Sequence, residues 1–407
     1  MAACGHRGLP ASVTRANALM TIHPAILADH ALLSAWRQDL HRHPELGYQE
    51  HRTAAFVARE LAALGLEVHT GIGKTGVVGT LRRGSSNRAI GLRADMDALA
   101  MQELGDIPHR SVHDGKFHGC GHDGHTIMLL GAARALVRHG HFDGTVHFIF
   151  QPAEEGGAGG AAMIADGLFE RFPVSAVFGM HNDPMRPVGH FGMRQGPMMA
   201  AAQMFEVTVH GRGGHAAFPH ATIDPVLTAA QIVVALQGIV SRNVDPMATA
   251  VLSVTRTSGG EAFNVIPATA ALGGTIRYFL DEVGDLLRSR IAAVARGIAT
   301  GSGGDAEVRF LPNGFPPLVN TPEETALAAR VAATLVGREA VDAVATPSMG
   351  AEDFAFMLRE RPGCYVLIGQ GGERGGCTVH HPEYDFNDAI IPLGASYWFT
   401  LAGEALA

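Results

Sequence analysis

The chain has 407 residues, 47% hydrophobic and 17% charged, with 31 basic against 39 acidic side chains and a net charge of −8. That length suggests two domains with ample core, and the acidic balance without a long basic run argues against nucleic acid as a partner. No apolar stretch approaches the length of a membrane span, so no membrane is expected, and four cysteines (Cys4, Cys120, Cys364, Cys377) make no disulfide framework in so long a chain, so a reducing cytoplasm is the expected compartment.

Residues 1–25 contain Arg7 and Arg15 but no apolar core of a secretory signal, and read as a disordered N-terminal extension. From about Ile26 to Leu64 the pattern is that of amphipathic helices broken at Pro44. Three β-type runs follow, at 66–69, 76–81 and 89–93. Between the first two, Gly71-Ile72-Gly73-Lys74-Thr75-Gly76 matches a dinucleotide-binding fingerprint by letters. That fingerprint needs a helix next, to place the pyrophosphate at its N-terminus. Here another β-type run follows, so the glycines read as a hairpin turn.

A helix is expected over about 124–138, with Ile127, Leu130 and Ala133 on its apolar face. Buried-type strands follow at 145–150 and 175–180. Strands alternating with helices point to an α/β fold, a mainly parallel sheet with helices on its faces. From Met204 to about Phe310 the order changes to strand, helix, strand, strand, helix, strand, the ferredoxin-like split motif. Glycine- and proline-containing joints bracket it, so 198–314 reads as a domain inserted between 26–197 and 315–407. Beyond it come helices from Thr321 and Glu352, a strand over 364–368 and a closing helix from Pro392.

The densest chemistry lies at Phe117-His118-Gly119-Cys120-Gly121-His122-Asp123-Gly124-His125, a thiol and three imidazoles within eight positions. Cysteine sulfur and histidine nitrogen are the donors that borderline-soft divalent ions prefer. Other candidate ligands stand just beyond the carboxyl ends of expected strands: Asp95 and Asp97, Glu154 and Glu155, His181, and His380 and His381. In open parallel sheets ligands collect at that edge. Alone, the glutamate pair would read as a solvated turn and His181 as a hydrogen-bonded core imidazole; together, beside Cys120 and His122, they read as a metal site. Adjacent glutamates suit metal-assisted hydrolysis, one binding the ion while the other handles protons.

These landmarks are recognisable. From about Ala35 to its C-terminus the chain resembles the dinuclear metallopeptidase and amidohydrolase family of aminoacylases, hippurate hydrolases and auxin-conjugate (indole-acetyl-amino-acid) hydrolases. The resemblance is carried by His41-Arg42-His43-Pro44-Glu45-Leu46-Gly47, Arg93-Ala94-Asp95-Met96-Asp97, the Cys120 cluster, Gln151-Pro152-Ala153-Glu154-Glu155, Gly179-Met180-His181, Gly213-Gly214-His215, Gly350-Ala351-Glu352-Asp353-Phe354 and His380-His381-Pro382-Glu383-Tyr384. It implies a zinc-exopeptidase-like catalytic domain with an inserted lid and dimerisation domain. It implies two divalent metal ions (zinc, manganese, cobalt or nickel) held by Cys120, His122, Glu155, His181 and His380, with Glu154 as general base. His380 is preferred to His381 because the family's ligand stands two positions before the proline. Arg93 stands where more carboxylate-rich relatives carry a ligand histidine, so Asp95 is expected to orient a ligand imidazole, with Asp97 the weaker candidate. From the inserted domain, His215 is expected to stabilise the oxyanion, and Asn264 and Arg277 to bind the substrate α-carboxylate.

The expected function is hydrolysis of a small-molecule N-acyl amino acid to a carboxylate and a free amino acid, by a homodimer or higher homo-oligomer. The alternatives are a dipeptidase or carboxypeptidase with the same site, or an inactive metal-binding scaffold. Retention of Glu154 beside the full ligand set argues against the scaffold.

Overall fold

The computed structural model describes residues 20–371 and 377–407. The expectation of a disordered extension over 1–25 falls outside the described residues up to 19 and gives way from Met20 onward. The Thr21 N–H donates to the Leu335 carbonyl at 2.7 Å, and a helix with proline at its first position runs Pro24–Ala28, burying Ile26.

The chain divides into two units. One takes the described residues up to Met198, Val319–Thr346 and Asp353–Ala407; the other takes Met199–Leu318 and Pro347–Glu352. The inserted stretch is therefore not a single run. The segment 347–352 joins the second unit because the Ala200 N–H reaches the Ser348 and Gly350 carbonyls, both at 3.0 Å.

At the centre of the first unit is an eight-stranded sheet. Its order is Glu67–Ile72, Gly76–Arg83, Gly144–Gln151, Ala89–Asp95, Ala176–Pro187, Gly363–Gly371, Phe191–Gly192, Val341–Asp342. The Ala89–Asp95 strand is parallel to both neighbours, Ala176–Pro187 is parallel to Gly363–Gly371, and the first two strands form an antiparallel hairpin. In that hairpin Ile72 pairs with Gly76, so the glycine run is its turn.

The central strands are buried along their whole length, as parallel strands covered on both sides must be. Phe178 belongs to the same buried core as Leu129, Leu130 and Trp398, from the helices His122–His139 and Ile391–Ala405. At the next residue, Gly179, a Cβ would stand 2.8 Å from Tyr365 and 3.2 Å from Phe354 of the helix Phe354–Glu360. Successive strand residues face opposite sides, so helices cover both faces.

The second unit is built on a four-stranded antiparallel sheet in the order Ala250–Gly259, Thr269–Tyr278, Ala201–His210, Asp305–Phe310. The helices Pro225–Asn243 and Asp281–Gly301 lay Ile232, Leu236, Leu287 and Ile291 against Phe205, Val207, Leu272 and Ile276 of that sheet. Chain order and sheet order are those of the split motif. A small ribbon, Gly214–His215 with Val265–Ile266, is additional. The Pro225–Asn243 helix is by length and composition long and apolar enough to cross a membrane, which corrects the reading that no apolar stretch approaches that length. Its buried face, Ile232, Leu236 and Ile239, lies in this unit's own core.

Behind the first turn of the His122–His139 helix lies a buried charge network. His41 Nδ1 is 2.9 Å from Asp123 Oδ2 and its Nε2 is 3.4 Å from Glu103 Oε1. Arg37 donates to Asp385 and Asp388 at 2.9 and 2.6 Å. Burial pushes the His41 pKa down, but the hydrogen bonds to Asp123 and Glu103 outweigh it and lift it to about 9. A histidine pKa raised on folding stabilises fully below its unfolded value of 6.5 and loses that contribution as pH climbs through about 9. Between pH 7 and 10 the denaturant midpoint should fall by the equivalent of about 2.5 kcal/mol more in the wild type than in His41→Gln. Parallel pH profiles of the two proteins would contradict a charged His41.

Candidate metal centre

Strand register sets the site. Asp95 pairs with Gln151 at the carboxyl ends of adjacent parallel strands, and His181 pairs with Leu367 on the neighbouring pair. The chain past Gln151 therefore delivers Glu154 and Glu155 to the edge where Asp95 and His181 end. The His122–His139 helix enters the same edge. Its cap residue Gly121 has φ +96° and ψ +14°, and a Cβ there would stand 2.5 Å from Asn182 Oδ1 and 2.7 Å from the Tyr384 hydroxyl. Only glycine fits, and its turn leaves Cys120 and His122 facing one space.

Side-chain donors gather there in triplets whose ligand atoms lie within 4.8 Å of one another: Cys120, His122 and His181; Cys120, Glu155 and His380; His122, Glu154 and Glu155. Cys120 belongs to the first two. Its sulfur is 3.3 Å from His181 Nε2, and His380 Nε2 is 3.2 Å from Glu155 Oε1. His181 Nδ1 donates to the Asn182 carbonyl at 2.7 Å, which leaves Nε2 to present its lone pair to the cluster. His380 has φ +64°, and its N–H donates to the Gly119 carbonyl at 2.7 Å, tying its loop to the residue before Cys120.

The donor set fits divalent cations. The buried His122 Nε2 has no hydrogen-bond partner among the described residues, an arrangement that normally signals an ion or water at that atom. Cys120 and Glu155, accepting hydrogen bonds from the protonated imidazole, lift the His380 pKa to about 10. Burial raises the Cys120 thiol. Burial also works against the Glu155 carboxylate, yet the His380 hydrogen bond holds it below the usual range. Such a cluster draws positive charge toward itself, and a divalent ion supplies it while keeping thiolate and carboxylate ionised.

Asp97 and Asp95 take roles opposite in weight to those the sequence suggested. Asp97 Oδ1 is 3.3 Å from His122 Nδ1, and its Oδ2 accepts the Glu155 N–H at 2.9 Å. Asp97 thus orients two members of the cluster. Asp95 Oδ2 lies 3.7 Å from His122 Nε2, with no hydrogen bond, and instead takes Arg93 at 2.7 Å and His125 Nδ1 at 2.6 Å. Arg93, wholly buried, also donates to Gln151 at 2.9 Å and to Asp353 at 3.1 Å. The Asp353 N–H in turn reaches Glu154 Oε1 at 3.4 Å. Asp353 was visible in Gly350-Ala351-Glu352-Asp353-Phe354, but nothing in that motif announced its partner.

The imidazoles of the Cys120 segment separate into different roles. His122 faces the cluster. His125 has both nitrogens engaged, with Asp95 and with Asn182 at 2.7 Å. His118 is buried with neither ring nitrogen partnered among the described residues, and burial lowers its pKa to about 4. His381 lies with Cys377 and Glu383 rather than with Cys120 and Glu155.

His215, Asn264 and Arg277 belong to the second unit. His215 pairs with Val265 in the small ribbon, and the Ala216 N–H donates to the Asn264 carbonyl at 3.0 Å, so His215 and Asn264 are neighbours there. Arg277 lies on the Thr269–Tyr278 strand, donates to the Thr275 hydroxyl and to the Ile276 carbonyl at 3.1 Å, and forms no ion pair with a carboxylate among the described residues. Burial lowers its pKa.

Comparison with known proteins returns one consistent answer. Residues 91–404 match the model of peptidase family M20/M25/M40. The chain is 40% identical to hippurate hydrolase of Campylobacter jejuni over 384 residues, 94% of this chain and 99% of that protein. It is 39% identical to N-acetylcysteine deacetylase of Bacillus subtilis, over 92% of this chain and 97% of that protein. A crystal structure from Bacillus subtilis described as a dinuclear metal-binding peptidase of the M20 family superposes with a TM-score of 0.81 at 37% identity, covering 93% of this chain and 99% of that one.

Proposed function

This chain belongs to peptidase family M20/M25/M40 and is a metal-dependent amidohydrolase that uses two divalent ions; from that premise we propose that Cys120, His122, Glu155, His181 and His380 hold the ions and that Glu154 is the general base for cleavage of N-acyl amino acids. The observation that carries this reading is the pair of donor triplets sharing Cys120 beside a second, adjacent carboxylate.

One thiolate, one carboxylate and three neutral imidazoles carry about two negative charges against the four positive of two divalent ions, an excess that favours anionic substrates. When bound, the ions polarise the amide carbonyl and acidify a water. Glu154 accepts the proton of the attacking water on a carboxylate oxygen and returns it to the leaving nitrogen. Asp97 keeps His122 and the Glu155 backbone in place. In the second unit, Arg277 without a carboxylate partner suits the α-carboxylate of the substrate together with Asn264, and His215 suits the developing oxyanion. The thiolate favours zinc-like ions over magnesium and calcium, and the mixed donor set is also compatible with manganese, cobalt or nickel. A cytoplasmic location keeps Cys120 reduced. The exposed sheet edge Ala250–Gly259 is the surface on which a homodimer or higher homo-oligomer forms in this reading.

A peptidase acting through the same centre is the second reading, favoured by the description of the Bacillus subtilis structure. A panel of N-benzoyl and N-acetyl amino acids assayed beside dipeptides of the same C-terminal residues separates the two. The N-acyl amino acids should show kcat/KM at least about 10-fold higher, the discrimination a shaped pocket readily supplies. Faster turnover of the dipeptides selects the peptidase.

A further inference from the structure

The glutamate turn starts from a residue in an uncommon conformation. Ala153 has φ +51° and ψ +44°, a left-handed setting that residues with a Cβ rarely adopt. Something must hold it there. The Ala153 N–H donates to Glu50 Oε1 at 2.8 Å. Glu50 is wholly buried, and its other oxygen accepts the Thr75 hydroxyl at 2.6 Å. Thr75 sits in the turn of the first hairpin, whose glycine run has no part in the metal centre.

Other ties converge on the same backbone. The Tyr48 hydroxyl donates to the Gly157 carbonyl at 2.7 Å. At Gly47 an added Cβ would stand 3.0 Å from the Ala153 Cβ, so the segment leading to Glu50 lies directly against the glutamate turn. At Gly73 an added Cβ would stand 2.8 Å from the backbone of Met163, so the hairpin turn is seated on the helix Gly159–Ala165 that follows the glutamates. Glu50 itself is in none of the donor triplets described above.

We propose that Glu50 is a positioning residue for the reaction: its carboxylate, anchored by Thr75, fixes the Ala153 amide and thereby aims the Glu154 side chain. The proposal rests on Glu154 being the general base. Without the tie, Ala153 is free to relax toward commoner backbone settings, and the Cα–Cβ bond of the next residue turns with it. A reacting group displaced by about 1 Å loses about 10²-fold in rate.

Two variants of Glu50 separate reach from charge. Glu50→Gln keeps the reach: its amide oxygen accepts the Ala153 N–H and its NH2 donates to the Thr75 hydroxyl. Glu50→Asp keeps the charge but is one methylene shorter and cannot span both partners. Per metal-loaded site, Glu50→Asp should lose about 10- to 100-fold in kcat with KM within about 3-fold, and Glu50→Gln should stay within about 3-fold of wild type. Hydrogen exchange of the peptide 151–157 in metal-free protein gives a readout independent of catalysis: at least about 10-fold faster in Glu50→Asp and unchanged in Glu50→Gln. Thr75→Val, which removes the anchor, should show the Glu50→Asp pattern at about 3- to 10-fold and decides the matter if Glu50→Asp is insoluble. Wild-type kcat in Glu50→Asp, or equal loss in Glu50→Gln, overturns the proposal. Full activity of Glu154→Gln overturns the base assignment instead and leaves the exchange result standing as a test of the Glu50 tie alone.

Discussion

Glu154→Gln should purify with the metal content of the wild type and hydrolyse N-benzoylglycine about 10²–10⁴ times more slowly, the usual loss when a general base is removed. The geometry separates the two effects. Glu155, not Glu154, shares a triplet with Cys120 and His380, and in the triplet of His122, Glu154 and Glu155 both proposed ligands remain, so the five proposed ligands are untouched by the substitution. Glutamine is close in shape and its amide oxygen still accepts the Asp353 N–H that reaches Glu154 Oε1 at 3.4 Å, so the turn keeps its form. What is lost is a group able to take and return a proton. A variant with more than about a tenth of wild-type turnover places the base elsewhere.

Cys120→Ser should fail differently, by losing metal. The sulfur belongs to both triplets that contain His181 and His380, so one substitution weakens both ion positions. Serine is neutral where the thiolate is charged, which cuts the negative charge of the donor set from about two to about one against two divalent ions. Removing a group that merely orients a ligand already costs about 10–100-fold in metal affinity, so the loss of a shared ligand should exceed about 10²-fold. After dialysis against metal-free buffer the variant should hold well under one ion per chain, with turnover recovering only at high added metal. Wild-type stoichiometry in Cys120→Ser would remove the thiol from the centre.

The parts of the fold that follow from periodicity and length were legible. Buried parallel strands show as continuous apolar runs, and the alternation of strand and helix identified both the parallel sheet and the split motif. Boundaries that depend on single hydrogen bonds were not legible. Residues 347–352 look like any loop until the Ala200 N–H is seen to reach Ser348 and Gly350, and Met20–His23 look like a tail until Thr21 is seen on Leu335. In the site, residue type and strand-end position revealed the cluster, because cysteine, histidine and paired glutamates have few other reasons to gather there. The division of labour among like residues was hidden. His118, His122 and His125 differ only in where the helix begins and what each nitrogen meets. Asp95 and Asp97 differ only in reach: the first ends a strand beside Arg93, the second lies two residues on, against His122 and Glu155. The buried partners Arg93–Asp353 and Glu50–Ala153 are separated by 260 and 103 positions, and no local pattern joins them.

Metal analysis of purified wild-type protein, paired with stripping and resupply, tests the convergence of these side chains most directly. The chain should carry about two transition-metal ions, lose N-benzoylglycine hydrolysis with a chelator, and regain it as two equivalents of zinc, manganese, cobalt or nickel are returned. Protein that binds none of these ions tightly, or that cleaves the amide equally well without them, would contradict the account.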